Sequence, residues 1–271
     1  MCTVVLSLEP GAPVLLAGFR DELTDRAWQP PQRYWPAYPE LIGGRDLLAG
    51  GTWLAVAPPA RRAACVLNGR GTMAPARSRR SRGFLPLQAA AEGKLAHAGL
   101  EDFDPFHLLV AEPGRGSLAS WDGQELTERE LAAGLHMIVN GGLGSDLLMA
   151  GPAGPAGLSG PGGPGSAGTA GREHELARIA HFLPRLRGVP RPVPRPGGPA
   201  ARAWGPWLPL LDGDGIAPDD PRALIVRRDL DDGRVGGTTS TSLVALWPDA
   251  VRYDFTGTPG DAAAWRSVPA A

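Results

Sequence analysis

The chain has 271 residues and a mass of 28.3 kDa, with 38 Gly and 29 Pro, about a quarter of the total. Both residues oppose helix interiors, which excludes a coiled coil or a plain helical bundle, while 43% apolar residues still suffice for a core. Charge is balanced, 27 basic against 28 acidic residues, so no basic footprint for nucleic acid is expected.

Residues 2–8 (CTVVLSL) and 14–20 (VLLAGFR) are apolar, β-branched runs on either side of the turn cluster Glu9-Pro10-Gly11-Ala12-Pro13. This predicts a hairpin at the start of the chain. Such a hairpin brings Cys2 opposite Phe19 or Arg20. The parity of the pairing decides whether Arg20 or Asp21 shares a face with Cys2. Strands follow at 53–57 and 63–67, then a helix at 85–96, then a hairpin of 106–111 with 117–121. Segment 127–139 carries conflicting signals. Thr127-x-x-Glu130 fits a helical capping box, whereas Gly134, Ile138 and Val139 oppose one continuous helix. Residues 173–183 are amphipathic, with Leu176, Ile179, Ala180 and Leu183 on one helical face. A short helix is expected at 219–228, and strands at 241–247 and 250–255. Strands at both ends and helices in two clusters predict an α+β fold with mainly antiparallel sheet.

Two stretches differ in composition. Residues 151–171 (GPAGPAGLSGPGGPGSAGTAG) cannot bury enough apolar surface to offset the entropy of ordering, which predicts a flexible insertion. Residues 188–199 (GVPRPVPRPGGP) read as a Pro/Arg-rich linker, partly polyproline II. The two literal GxGxxG matches, Gly160–Gly165 and Gly163–Gly168, fall inside the Gly/Pro segment with no strand before them, so they carry no phosphate site. All but one basic residue, Lys94, is Arg, as the codon bias of a GC-rich bacterial genome produces. A single Arg is therefore a poor functional signal.

Two cysteines, Cys2 and Cys65, cannot form a disulfide framework. With no window of ~18 apolar residues and no positive leader, a cytoplasmic location without a membrane span is expected. Cys2 follows Met1 directly. An aminopeptidase removes Met1 before a small residue, leaving a thiol and a free α-amine on one residue. That amine, with a pKa near ~8, can act as the base for its own thiol. Position 2 is equally explained as a cysteine in a frayed strand. Arg20 near a thiol stabilises thiolate and Asp21 can hold the terminal ammonium, or both simply end an exposed strand. Asn68 and Asn140 each end an apolar run and precede Gly. A side-chain amide there suits an oxyanion, and Asn-Gly also suits a turn. Cys65 reads as a core thiol. No HxH, HExxH, CxxCH or zinc spacing occurs, so no metal site is expected.

The order of Met1-Cys2, Arg20-Asp21-Glu22, Arg26, the run Gly43-Gly44-Arg45-Asp46 to Gly50-Gly51-Thr52-Trp53, Cys65-Val66-Leu67-Asn68, His136 to Asn140 and Gly237-Thr238-Thr239 resembles the transport and Golgi organisation protein 2 family. That family is also named for its Asn-Arg-Asp-Glu motif. The likeness spans roughly residues 1–145 and 205–255. It implies an αββα sandwich of the N-terminal nucleophile hydrolase type, as a single domain over 1–271. It also implies Cys2 as nucleophile, Arg20 and Asp21 beside it, and Asn68 and Asn140 near the oxyanion and the terminal amine. The chain departs from the pattern at Phe19, where the motif has Asn, and at Thr239, where many members have Arg. Arg234 is a nearby stand-in for that Arg.

Two functions follow from the resemblance. One is a cysteine amidohydrolase acting on a linear amide C–N bond of a small-molecule substrate, with no required cofactor. The other is a non-catalytic protein that binds heme, or a lipid or acyl-CoA, in heme homeostasis or trafficking. Neither implies an oligomeric state.

Overall fold

The computed structural model describes residues 2–150 and 169–270, with the side chains of 169 and 170 left aside. Along the chain the strands are β1 (Thr3–Leu8), β2 (Val14–Leu23), β3 (Trp28–Gln32), β4 (Ile42–Asp46), β5 (Leu54–Ala57) and β6 (Arg62–Asn68). Helix α1 (Leu85–Glu92) precedes β7 (Phe106–Glu112), β8 (Arg115–Trp121), β9 (Leu126–Glu130), β10 (Gly134–Val139) and β11 (Gly142–Leu143). Four helices follow: α2 (Gly144–Ala150), α3 (Thr169–Gly188), α4 (Ala200–Trp204) and α5 (Trp207–Leu211). The chain closes with β12 (Arg227–Asp229), β13 (Val235–Leu246), β14 (Val251–Thr256) and β15 (Arg266–Ser267).

These strands form two antiparallel sheets. The first has the order β11-β10-β1-β2-β13-β14-β15 with β12 on β13, and the second runs β3 to β9 in sequence order. Alternation along each strand divides the side chains between three cores. Val4, Leu6, Leu16, Val244 and Ile138 of the first sheet meet Val56, Cys65, Leu67 and Leu109 of the second. The opposite face of the first sheet, with Val5, Ala17, Phe19, Val139 and Leu243, packs on Ile179, Phe182, Trp204 and Leu211 of the helices. The outer face of the second sheet, with Ala55, Ala64, Val66 and Leu108, packs on Leu87, Ala89 and Ala90 of α1. The layers are thus helix, sheet, sheet, helix, the four-layer αββα order expected. β1 is buried along its whole length, as a strand covered on both faces must be: Val4, Leu6 and Leu8 make one face apolar, and on the other Thr3 and Ser7 flank Val5 with their hydroxyls hydrogen-bonded to Arg178 and Arg191.

The N-terminal hairpin forms as expected, turning through Gly11 at φ +73°. The expected helix at 85–96 stops at Glu92, because Gly93 adopts φ +80° and its N–H caps Ala89 O. Three expectations change. Segment 127–139 is two strands, β9 and β10, and its capping-box spacing is overridden by pairing of Leu126–Glu130 with β8. Residues 219–228 form turns and then β12, since Pro218 and Pro221 withhold helix donors and Asp220 instead accepts from the Arg222 backbone. On α3 the buried stripe is Glu175, Arg178, Ile179, Phe182, Leu183 and Leu186, while Ala180 is exposed and Leu176 half-buried.

Most of the Gly/Pro stretch at 151–171 lies outside the described residues, and its last three residues form the first turn of α3. The Pro/Arg-rich stretch lies against the first sheet. Arg191 donates to Ser7 Oγ (2.8 Å) and to Pro13 O, Trp247 donates to Pro194 O (2.7 Å), and Arg252 donates to the carbonyls of Arg195, Gly197 and Gly198. No helix among the described residues is long and apolar enough to cross a membrane.

Candidate functional site

The register of β1 settles the parity left open by the sequence. Thr3 pairs with Phe19 on one side and with Val139 on the other. One residue further, Cys2 stands between Arg20 and Asn140, and it faces the inter-sheet layer, where it packs on that core. The Cys2 main-chain N–H donates to Asn140 Oδ1 at 3.1 Å, and Cys2 Sγ lies 3.9 Å from Asp21 O. Burial pushes the Cys2 thiol above its ordinary value, opposed by the chain's positive terminus and, more weakly, by Arg20. Burial also pushes the Cys65 thiol up, as expected of a core thiol.

Arg20 shares the inter-sheet face with Cys2. Its Nη1 donates to Thr239 Oγ1 (2.9 Å), its Nη2 donates to Asp46 Oδ2 (2.9 Å), and its guanidinium lies 4.5 Å from the Trp53 ring centroid. Asp46, from the second sheet, also accepts from Arg26 Nε (2.6 Å) and Nη2 (3.1 Å) and from the backbone N–H groups of Leu48 and Ala49. Burial raises the Asp46 carboxyl, but the Arg26 hydrogen bond, the Ala49 N–H and the charges of Arg26 and Arg20 together bring it below its ordinary value. Gly44 makes room for the ring that Arg20 stacks on, since a Cβ there would stand 2.2 Å from Trp53.

Asp21 faces the helices. Its Oδ1 accepts from Thr238 Oγ1 (2.6 Å), while its buried Oδ2 has no hydrogen-bond partner among the described residues and lies 3.9 Å from Arg178 Nη1. Thr238 and Thr239 serve both motif residues because the register of β13 against β2 shifts between Thr238 and Ser240. Thr239 also donates to Arg20 O (3.2 Å), so its hydroxyl tethers Arg20 where the family pattern has Arg. Arg234 does not stand in: it is exposed and paired with Asp232 Oδ2 at 2.5 Å. Phe19 is buried in the helix-side core, which explains an apolar residue at that motif position.

Asn140 is 4% exposed. His107 Nε2–H donates to Asn140 O (3.2 Å), which leaves Nδ1 to accept from the Ser120 hydroxyl (2.8 Å). Burial holds His107 neutral, pushed down to about 4. Asn68 ends β6 opposite Phe106, on the face away from Cys65, and its side chain makes no hydrogen bond among the described residues. The structure therefore gathers Cys2, Arg20, Asp21 and Asn140, and it does not join Asn68 to them through any hydrogen bond.

Several neighbours were not legible. Asp46, Trp53, His107, Glu175 and Arg178 lie far from Cys2 in sequence. Asp46 and Trp53 carried a signal only as members of the family-like run Gly43 to Trp53, and Glu175 and Arg178 because charged residues at i and i+3 share a helical face with Ile179 and Phe182. Among the described residues no group of three or more His, Cys, Asp or Glu could hold a metal ion.

A family model described as Transport and Golgi organisation 2 matches residues 1–148, more than half of the chain. Among solved structures, the Caenorhabditis elegans N-acylethanolamine-hydrolyzing acid amidase (NAAA) ortholog is similar at 10% identity and a TM-score of 0.46, over 99% of this chain and 100% of that one. No curated protein matches the chain.

Proposed function

The chain belongs to the transport and Golgi organisation 2 family, and on that premise we propose that it is a cysteine amidohydrolase cleaving a linear amide C–N bond through Cys2. The observation that carries the reading is the 3.1 Å bond from the Cys2 nitrogen to Asn140 Oδ1. Once Met1 is removed, that nitrogen is an α-amine already oriented by an acceptor and attached to the residue bearing the thiol. A buried thiol with a raised pKa needs a local base, and the amine is that base.

In this mechanism the Sγ proton moves to the amine. Sγ then attacks the amide carbonyl carbon, and the C=O electron pair moves to oxygen. Backbone N–H groups hold the oxyanion, because Asn68, expected in that role, lies on the face of β6 away from Cys65 and from the inter-sheet layer that Cys2 faces. Collapse breaks the C–N bond, and the ammonium returns its proton to the departing nitrogen. Water, deprotonated by the amine, hydrolyses the thioester and restores the thiol. Arg20 favours the thiolate and Asp21 favours the ammonium.

Intact-mass measurement after exposure to a thiol-directed probe at neutral pH tests this. The expected result is a chain lacking Met1, with Cys2 labelled and Cys65 not, and no labelling in Cys2→Ser. Retained Met1, or a Cys2 no more reactive than Cys65, would overturn the hydrolase reading. Saturable heme binding in a Soret titration, with an inert Cys2, would favour the non-catalytic alternative.

A further inference from the structure

Helix α3 places two charged side chains beneath Cys2 that the mechanism above does not use. Glu175 is fully buried. Its Oε2 accepts from Arg70 Nη2 at 2.7 Å, and its Oε1 has no hydrogen-bond partner among the described residues. A Cβ on Gly141 would stand 2.7 Å from Oε2, so the carboxylate lies against the Asn140-Gly141 turn. One turn along, Arg178 is also fully buried. It donates Nε to Ala223 O (2.7 Å) and Nη1 to Thr3 Oγ1 (2.6 Å), and its Nη2 has no acceptor among the described residues. Through these two residues α3 reaches three residues around Cys2: Thr3 and Asp21 by Arg178, and Gly141 of the Asn140 turn by Glu175. A helix that only needed to pack would carry apolar residues here, because buried charges with unpaired atoms are costly.

We propose that Glu175 is a positioning residue for Cys2, holding the Asn140 turn in place and favouring, by its negative charge, the ammonium that Cys2 carries once Met1 is gone. Arg178 fixes Asp21 and Thr3 for the same purpose. The inference rests on reading Cys2 as the nucleophile. The step it assists breaks the S–H bond of Cys2 and forms an N–H bond on the same residue, giving a thiolate and an ammonium. Glu175 faces Arg70 from the loop after β6 and Arg178 from its own helix. Cys2 faces Arg20 and Asp21 from β2. Burial raises the Glu175 carboxyl, with Arg70 and Arg178 opposing. An ammonium nearby supplies a further positive partner.

The test uses the full chain released from a fusion so that it begins at Cys2. The alkylation rate of Cys2 by iodoacetamide is followed from pH 5 to 9 in wild type, Glu175→Gln and Gly141→Ala. Gly141 is not in the left-handed region, so alanine fits its backbone, and the added methyl displaces the carboxylate without removing its charge. In both variants the midpoint is expected to rise by about half a pH unit, and the rate at pH 7 to fall about threefold. Folded variants whose profiles superimpose on wild type, even with a lower Tm, overturn the proposal. If Glu175→Gln does not fold, Gly141→Ala alone decides it. A wild-type Cys2 no faster than Cys65 would sink the nucleophile reading itself, which separates the two failures.

Discussion

Two buried charge clusters flank Cys2 on opposite faces of one sheet, and they are completed to different degrees. On the inter-sheet face, Asp46 accepts three bonds from Arg20 and Arg26 and two from backbone N–H groups. On the helix face, Asp21 Oδ2, Glu175 Oε1 and Arg178 Nη2 are all buried without a hydrogen-bond partner among the described residues. The first cluster closes on itself and ties two sheets together. The second keeps unmet hydrogen-bonding capacity next to the residue with the chemistry. A fold tolerates such incompleteness where a site needs it and compensates elsewhere.

Matched amide substitutions probe that difference most strongly. Asp46→Asn is expected to cost about 3–5 kcal/mol in chemical denaturation at pH 7, because buried Arg20 and half-buried Arg26 lose their shared counter-charge. Since the folded Asp46 carboxyl is lowered, its contribution is present above about pH 4 and is lost as pH falls through the folded value. A cost below about 1 kcal/mol would erase the distinction between the clusters.

The His107 effect occupies a separate window. Its folded value of about 4 lies below the ordinary histidine range, so the folded state resists protonation. Stability is full above about pH 6.5 and falls by about 3 kcal/mol as pH drops toward 4. His107→Gln should flatten that slope in urea titrations across pH 4–7. An unchanged slope would mean that another group supplies it.

Smaller effects refine the picture. Thr239→Val removes one acceptor of Arg20 and is expected to cost about 0.5–1.5 kcal/mol, read as a lower Tm. Glu175→Gln should lie within about 1 kcal/mol of wild type at pH 7, or be more stable. Its carboxyl is raised by burial, so the ionised form carries a penalty that grows as pH rises through the folded value. The relative gain from Gln should therefore vanish near pH 4. A loss as large as that of Asp46→Asn would make the helix-side cluster structural.

Much of the fold was legible because its signals are local. The N-terminal hairpin follows from two apolar runs around Pro10-Gly11, and α1 from Pro86 and the alanines before Gly93. Segment 127–139 was not legible, because a capping-box spacing and a solvent-facing edge strand use the same residue types. For α3 the helix was correctly expected, but the buried stripe was displaced. Glu175 and Arg178 lie off the expected apolar face of Leu176, Ile179, Ala180 and Leu183, and only their partners Arg70, Thr3 and Asp21, each more than a hundred residues away, make their burial tolerable.

The sequence by itself determined the α+β class with mainly antiparallel sheet and the place of Cys2 at the start of an apolar strand, while its family resemblance implied the αββα order and the candidate set of Cys2, Arg20, Asp21, Asn68 and Asn140. Alternation and turn chemistry act over a few residues, so they can be read without coordinates. Only the tertiary structure decided which of these residues share a face with Cys2. Register is a property of strand pairs, and a slip of one residue would have exchanged Arg20 for Asp21 beside the sulfur. It also decided that Asp46, His107 and Glu175 surround the site, because hydrogen bonds and charge act between atoms that are close in space, whatever their separation in sequence.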